Sequence, residues 1–386
     1  MSMDTPILPP ATLGMLGGGQ LGRFFVHAAH ELGYRVCVLD PDARSPAGAI
    51  ADEHLIAAYD DSEALAALAQ RCLAVSTEFE NVPATSLAFL AERTRVWPAS
   101  NAVAICQNRA AEKTFLREYG LPHAPFALID SEDDLAAANA GLFPGLLKVA
   151  RFGYDGKGQF PVADREQARA AFRQLGGEPC VLEQRLSLDF EVSVVLARAA
   201  DGAVCCFPVA ENYHRAGILD YSFAPAAASA CLAANAEELA ERIAARLSYV
   251  GVLAVEFFVV RGQLLVNELA PRPHNSGHYT LDACITDQFE QQVRALCGLP
   301  LGEARAHSAA AMVNLLGDLW FADGMPHEPD WGALLGVPNL KLHWYGKHEA
   351  RPGRKMGHFT IIGADADAVR KSALSARRAI GIGDER

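Results

Sequence analysis

Between residues 12 and 40 a short apolar run, a Gly-x-Gly-x-x-Gly turn, a helical stretch and a second apolar run ending in Asp40 follow one another. That order is the signature of a strand–helix–strand unit with parallel strands. The strands are expected at 12–17 and 35–39 and the helix at 20–32. Further apolar runs at 73–76 and 95–97 each lead into helical sequence, which extends the parallel sheet. A helix-rich stretch, 101–119, closes this first unit.

Three readings compete for the turn at Gly17, Gly19 and Gly22. It is a tight junction that needs small residues, a phosphate site at a helix N-terminus, or a dinucleotide site with Asp40 on a ribose hydroxyl. Nothing else in the chain suggests hydride transfer, so phosphate binding ranks above the dinucleotide. Gly153-Tyr154-Asp155-Gly156-Lys157-Gly158 is not a Walker A loop, since it lacks the spacing and the following hydroxyl residue. Any ATP must be held by another fold.

Residues 121–185 read as a smaller unit. A strand at 124–128 precedes a helix opened by Ser131 with Asp134 three residues on, a capping-box-like start. A strand at 146–150 ends in the glycine-rich loop 151–159, and another strand follows at 180–184. From 188 the texture changes to long strands, 191–198, 203–209, 252–260 and 263–270. One helix interrupts them, with Asn235 expected at its cap, Glu238 three residues on, and an apolar stripe of Leu239, Ile243 and Leu247. The fold class is therefore α/β followed by α+β, in three parts: 1–120, 121–187 and 188–386.

The net charge of −12 over 386 residues excludes a nucleic-acid coat, and an anionic substrate needs a local basic cluster. Lys347, Arg351, Arg354 and Lys355 supply one. No apolar run approaches 18 residues, and nine unpaired-looking cysteines without C-x-x-C spacing suit a reducing cytosol.

The strand 252–260 reads VLAVEFFVV, apolar but for Glu256. A buried carboxylate needs a partner. Its hairpin mate carries Asn267 and Glu268. A three-residue connection centred on Gly262 would set Glu256 opposite Glu268, and a two-residue turn would set it opposite Asn267. Facing carboxylates repel, and a magnesium ion completed by substrate phosphates resolves this. The alternative is that one glutamate faces solvent or pairs with an arginine such as Arg272. Lys148, at the end of LLKVA, either reaches a phosphate or snorkels.

Taken together, several segments resemble the 5-(carboxyamino)imidazole ribonucleotide synthases. They are GGGQLGR at 17–23, EFEN at 78–81, YDGKGQ at 154–159, EVSV at 191–194 and ENYHRAGIL at 211–219. NELAPRPHNSGHYT at 267–280, MVNLLG at 312–317 and RPGRKMGH at 351–358 complete the set, in the family's order.

The resemblance implies a three-part ATP-grasp fold with an N-terminal Rossmann-like (pre-ATP-grasp) domain, a small lid and a C-terminal ATP-grasp domain. It implies that Arg109, Lys148 and the loop Gly153, Tyr154, Asp155, Gly156, Lys157 and Gly158 contact the ATP phosphates. Glu183, Gln184, Arg185 and Leu186 would hold the adenine, Glu191 the ribose, with His214 near the nucleotide. Glu256 and Glu268, with Asn267 beside them, would hold Mg2+.

The implied reaction carboxylates 5-aminoimidazole ribonucleotide with ATP and bicarbonate, through carboxyphosphate. Arg272 would steady that intermediate, and Asp155 is the candidate general base. Gly19, Gln20, Leu21 and Gly22 would face Lys347, Arg354 and Lys355 around the ribonucleotide phosphate. Glu78, Glu80, Asn81, Asn275 and Ser276 would complete the substrate site. A cytoplasmic homodimer with no nucleic-acid or membrane partner is implied as well. A formate-dependent transformylase or a biotin carboxylase subunit would share the ATP site. A dinucleotide-sensing module is the reading from a different class.

Overall fold

The computed structural model describes residues 5–151, 158–322 and 325–383, with the side chain of residue 322 left aside. Three sheets carry the site. The first is five-stranded and parallel, with Thr12–Leu16 at its centre between Arg35–Leu39 and Ala74–Thr77. Helix Gln20–Glu31 starts directly after the central strand and buries Phe24, Phe25 and Val26 against the domain core.

The second sheet has four antiparallel strands, including Gly145–Val149 and Cys180–Gln184. Beside it the helix Glu132–Ala137 begins at Ser131. The Ser131 hydroxyl accepts from the Asp134 amide and donates to Asp134 Oδ2, which also accepts from the Asp130 amide, a variant of the capping box.

The third sheet is large and antiparallel. Its order runs from Gln263–Ala270 through Gly251–Val260 and Phe190–Arg198 to Ala210–Arg215 and Ile218–Ala224, then on to the C-terminal strands. Side chains of directly paired residues share a face, so register decides what reaches the cleft. Ser222 pairs with Asn212, Asn212 with Glu191, Ser193 with Glu256 and Glu256 with Glu268. A polar row thus crosses one face of a sheet whose other side chains are largely apolar.

The hairpin geometry differs from both sequence alternatives. Its turn has two residues, Arg261 and Gly262, both left-handed with φ of 51° and 73°, the form that suits the twist of a hairpin. Val260 pairs with Gln263 and Phe257 with Val266, and then the register slips so that Glu256 faces Glu268. Asn267 is the extra residue, a β-bulge that puts the two carboxylates opposite each other.

Helix Arg109–Glu118 pins this bulge. Lys113 Nζ donates to the Asn267 carbonyl at 3.0 Å, and the Leu269 amide donates to Glu112 Oε2 at 2.9 Å. The first unit therefore reaches directly into the hairpin of the third.

A second correction concerns the long helix, which is Ala230–Arg246 with Ser229 as its cap. Asn235 lies inside it. All nine cysteines are free thiols. Among the described residues, no helix is long and apolar enough to cross a membrane.

Candidate active site

The three sheets enclose a cleft of about 710 Å3. Arg109, Lys148, Glu191, His214, Glu256 and Glu268 line it together with Gln20, Leu21, Glu78, Glu80, Asn81 and Lys355. Arg272, His274 and Asn275 also line it, with Leu146, Leu188 and Phe258 as apolar wall.

Lys148 belongs to a buried triad. Its Nζ lies 3.2 Å from Glu183 Oε2, and Lys113 Nζ lies 3.6 Å from the same oxygen. The three residues are 4%, 2% and 0% exposed for Lys148, Glu183 and Lys113. Burial lowers the Lys148 pKa, with Glu183 opposing. Burial would raise Glu183, but the two ammonium groups win and hold it below the usual carboxylate range. The Glu183 carboxylate is thus committed to lysines. Glu183, Gln184, Arg185 and Leu186 are not among the residues that line the cleft, whose apolar surface includes Leu21, Leu146, Leu188 and Phe258.

At the hairpin, Arg109 Nη1 bonds Glu268 Oε2 at 3.1 Å, and His274 Nε2 stands 3.6 Å from Glu256 Oε1. Burial raises the Glu256 pKa; His214 opposes, and Glu268 adds to the rise. His214 Nδ1 lies 3.2 Å from Glu191 Oε2. Burial disfavours its charge, but Glu191 and Glu256 prevail and raise its pKa.

Among the described residues no group of three or more acidic, histidine or cysteine side chains forms a metal cage. Two facing carboxylates on the cleft wall remain. That donor set fits magnesium, which takes one or two protein carboxylates and fills its shell with phosphate oxygens and water.

Arg272 forms a fork with Glu80, Nε to Oε2 at 2.5 Å and Nη2 to Oε1 at 3.2 Å. Burial would raise Glu80, but the guanidinium wins and keeps it low. Lys347 Nζ donates to Gln20 Oε1 at 2.5 Å and to the Lys355 carbonyl at 2.7 Å.

The glycine turn is not an open phosphate cradle. Glu78 Oε2 accepts from the Gly22 amide at 3.0 Å, so the helix N-terminus already holds a carboxyl group of the protein itself. A Cβ at Gly19 would come within 2.1 Å of Glu78 Oε1, and one at Gly22 within 2.5 Å of Oε2. These glycines make room for a carboxylate. Asp40 is likewise used internally. Its Oδ2 accepts from the Gly18 amide and the Tyr59 hydroxyl, both at 2.6 Å, which removes the ribose-binding reading.

Ser276 is fully buried behind the wall, bonded to Ser193 and His274, and does not reach the cleft. Arg354 bonds the Glu349 carbonyl on the surface. Gly153, Tyr154, Asp155, Gly156 and Lys157 lie outside the described residues.

Sequence reasoning missed Lys113, Glu112 and His274. Glu112 and Lys113 carried a legible signal, because Glu112 falls three residues before Phe115 and Lys113 three before Leu116, on the buried stripe of their helix. His274 sits in the segment 267–280 that carries the resemblance, two residues from Arg272.

Residues 10–107 match the ribonucleotide synthetase preATP-grasp domain, 114–289 the ATP-grasp domain, and 310–372 the phosphoribosylaminoimidazole carboxylase C-terminal domain. The N5-carboxyaminoimidazole ribonucleotide synthase of Brucella melitensis biotype 1 is 47% identical over 93% of this chain and 98% of its own length. A crystal structure of an N5-carboxyaminoimidazole ribonucleotide synthetase in complex with ADP superposes with a TM-score of 0.90 at 39% identity, covering 97% of this chain and 98% of that one. The N5-carboxyaminoimidazole synthase of Aspergillus clavatus in complex with ADP and 5-aminoimidazole ribonucleotide gives 0.87 at 30% identity, covering 96% and 98%.

Proposed function

The chain belongs to the N5-carboxyaminoimidazole ribonucleotide synthase family, and on that premise we propose that it uses ATP and bicarbonate to carboxylate the exocyclic amine of 5-aminoimidazole ribonucleotide in purine biosynthesis. The observation that carries this reading is a single cleft. Its wall brings together a lysine, an arginine and a carboxylate pair with Glu78, Glu80, Asn81 and Lys355.

Bicarbonate is a poor nucleophile and a poor carbon electrophile, so it is activated first. One of its oxygens attacks the γ-phosphorus of ATP and ADP leaves, giving carboxyphosphate. The C–O bond to the phosphate then breaks, releasing CO2 and inorganic phosphate beside the amine. The amine nitrogen bonds to the CO2 carbon and gives up a proton, leaving the carbamate.

Phosphoryl transfer of this kind is governed by position and charge. Lys148, buried and fixed by Glu183, places a cation at the phosphates, and Arg109 supplies a second from the first domain. Glu256 and Glu268 would hold Mg2+, which when bound neutralises charge on the phosphate oxygens. Glu191 and His214 would meet the nucleotide ribose end. Arg272, locked by Glu80, is the residue that would steady carboxyphosphate. Asp155 is kept as the candidate base for the amine proton. Burial of the reacting atoms between the sheets limits loss of CO2 to water.

We also propose the division 1–120, 121–187 and 188–386, a homodimeric state and a cytoplasmic location. The enzymatic reading is tested by ADP release with magnesium and bicarbonate, with and without the aminoimidazole ribonucleotide. Strong stimulation by the ribonucleotide, lost in Glu268→Gln, supports it. Turnover that ignores the ribonucleotide, or that needs formate instead of bicarbonate, defeats it.

A further inference from the structure

Behind the carboxylate pair runs a buried line of polar side chains that the chemistry above leaves unused. Ser222 Oγ donates to Asn212 Oδ1 at 2.8 Å, Asn212 Nδ2 to Ser193 Oγ at 2.9 Å, and Ser193 Oγ to Ser276 Oγ at 2.7 Å. Ser276 Oγ lies 2.9 Å from His274 Nδ1. Ser222, Asn212, Ser193 and Ser276 are all at most 4% exposed. At the far end His274 Nε2 faces Glu256 Oε1 at 3.6 Å.

The direction of this chain follows from counting protons. A serine hydroxyl has one proton to give. Asn212 receives the Ser222 proton on its carbonyl oxygen, so its amide nitrogen points to Ser193. Ser193 accepts there and must donate onward to Ser276. Ser276 accepts that bond, and its own proton is left for His274 Nδ1. The Ser276 backbone amide aims at the same nitrogen, at 3.3 Å. Nδ1 is therefore an acceptor twice over, and a neutral His274 carries its proton on Nε2. Gln288 fixes the base of the ring, accepting from the His274 amide at 2.8 Å and donating to its carbonyl at 2.9 Å.

We infer that this one-way hydroxyl relay, acting with the Ser276 backbone amide, sets the tautomer of His274, so that Nε2–H and not a lone pair is presented to the Glu256 carboxylate. Ser276, Ser193 and Asn212 are then positioning residues that act through His274 on the carboxylate pair. The opposite tautomer would aim a lone pair at an anion and push Glu256 off its place opposite Glu268. The register explains why the relay exists, since Ser193 is the ladder partner of Glu256 and Asn212 that of Glu191. The consequence for turnover rests on the proposed role of Glu256, whereas the tautomer itself does not.

The test uses the full chain labelled with 15N at histidine, first without any substrate. The His274 signals, assigned by their loss in His274→Gln, are expected to show a pyridine-type Nδ1 and a pyrrole-type Nε2. Asn212→Asp replaces the donor with an acceptor, so Ser193 must turn round and the whole relay reverses. The His274 pattern should switch toward Nδ1–H, and kcat should fall about ten- to a hundredfold, the usual effect of losing an outer partner of a metal-site residue. KM for the ribonucleotide should stay within about twofold, because Glu78, Glu80 and Asn81 are not members of the relay.

Ser193→Ala gives a second route if Asn212→Asp does not fold. It should yield a mixture of tautomers and an intermediate kcat, with Ser193→Thr restoring both. Nδ1–H in the unmodified protein overturns the inference. So does an unchanged pattern and turnover in Asn212→Asp or Ser193→Ala. A chain that shows the predicted tautomer yet does not carboxylate the ribonucleotide would refute the enzymatic reading and leave the relay standing.

Discussion

Replacing Glu183 by glutamine tests the buried triad that orients Lys148. In the intact protein one carboxylate oxygen serves two ammonium groups, at 3.2 Å and 3.6 Å. With an effective dielectric of about 20, each attraction is worth about 5 kcal/mol before desolvation is counted. The net contribution is smaller, but removing one partner of a buried pair characteristically costs about 3–5 kcal/mol because the other charge is left stranded. Lys113 keeps the Asn267 carbonyl as a partner. The main burden falls on Lys148, whose pKa burial already lowers. In Glu183→Gln it is expected to fall further, which weakens the cation at the ATP phosphates.

Urea unfolding followed by circular dichroism, together with the KM for ATP, reads both effects. Glu183→Gln should lower stability by about 3–5 kcal/mol and raise KM for ATP about tenfold or more. The double variant Glu183→Gln/Lys148→Met should be more stable than the sum of the single changes predicts, by about 2 kcal/mol, since it no longer strands the ammonium. Additivity within about 0.5 kcal/mol, or a Glu183→Gln protein with normal stability and normal KM for ATP, would refute the reasoning.

Three further outcomes follow from the same structure. Gly22→Ala drives a methyl to 2.5 Å from Glu78 Oε2 and 2.6 Å from the Gly17 carbonyl, and should cost about 1–3 kcal/mol in the same urea assay. Arg272→Lys cannot reproduce the fork to Glu80, so kcat/KM for the ribonucleotide should drop about tenfold or more in steady-state kinetics. Burial raises Glu78 from the ordinary 4.5 to about 7, against the opposing Gly22 amide. A raised carboxylate pKa favours the folded state fully below 4.5, and that contribution is lost as pH rises through about 7. The thermal midpoint of Glu78→Gln relative to the unmodified protein should therefore climb between these pH values and level off above them; a flat difference contradicts the raised pKa.

Much of the site was legible because the residues concerned break a local pattern. Glu256 stands alone in an apolar strand, and Lys148 ends another, so both announce a partner. What local pattern could not give was the partner itself. The hairpin turn alone would have set Glu256 against Asn267, and only the bulge, held by Lys113 and Glu112 from a helix about 155 residues earlier, brings Glu268 opposite.

The glycine turn shows the same limit. Its shape suits an anion, but the place is taken by the Glu78 carboxyl, which lies 56 residues beyond Gly22. The capping error at Asn235 has a different origin. The first turns of that helix are alanine-rich and carry little apolar periodicity, so the stripe beginning at Leu239 marked the helix too late.

Isotope transfer tests the central claim most directly. With 18O-labelled bicarbonate, ATP and the aminoimidazole ribonucleotide, inorganic phosphate formed by the protein should carry one 18O per molecule, because the oxygen that attacks the γ-phosphorus stays with phosphorus when the C–O bond breaks. Phosphate without label, formed alongside carboxylated ribonucleotide, would contradict activation of bicarbonate by ATP in this cleft.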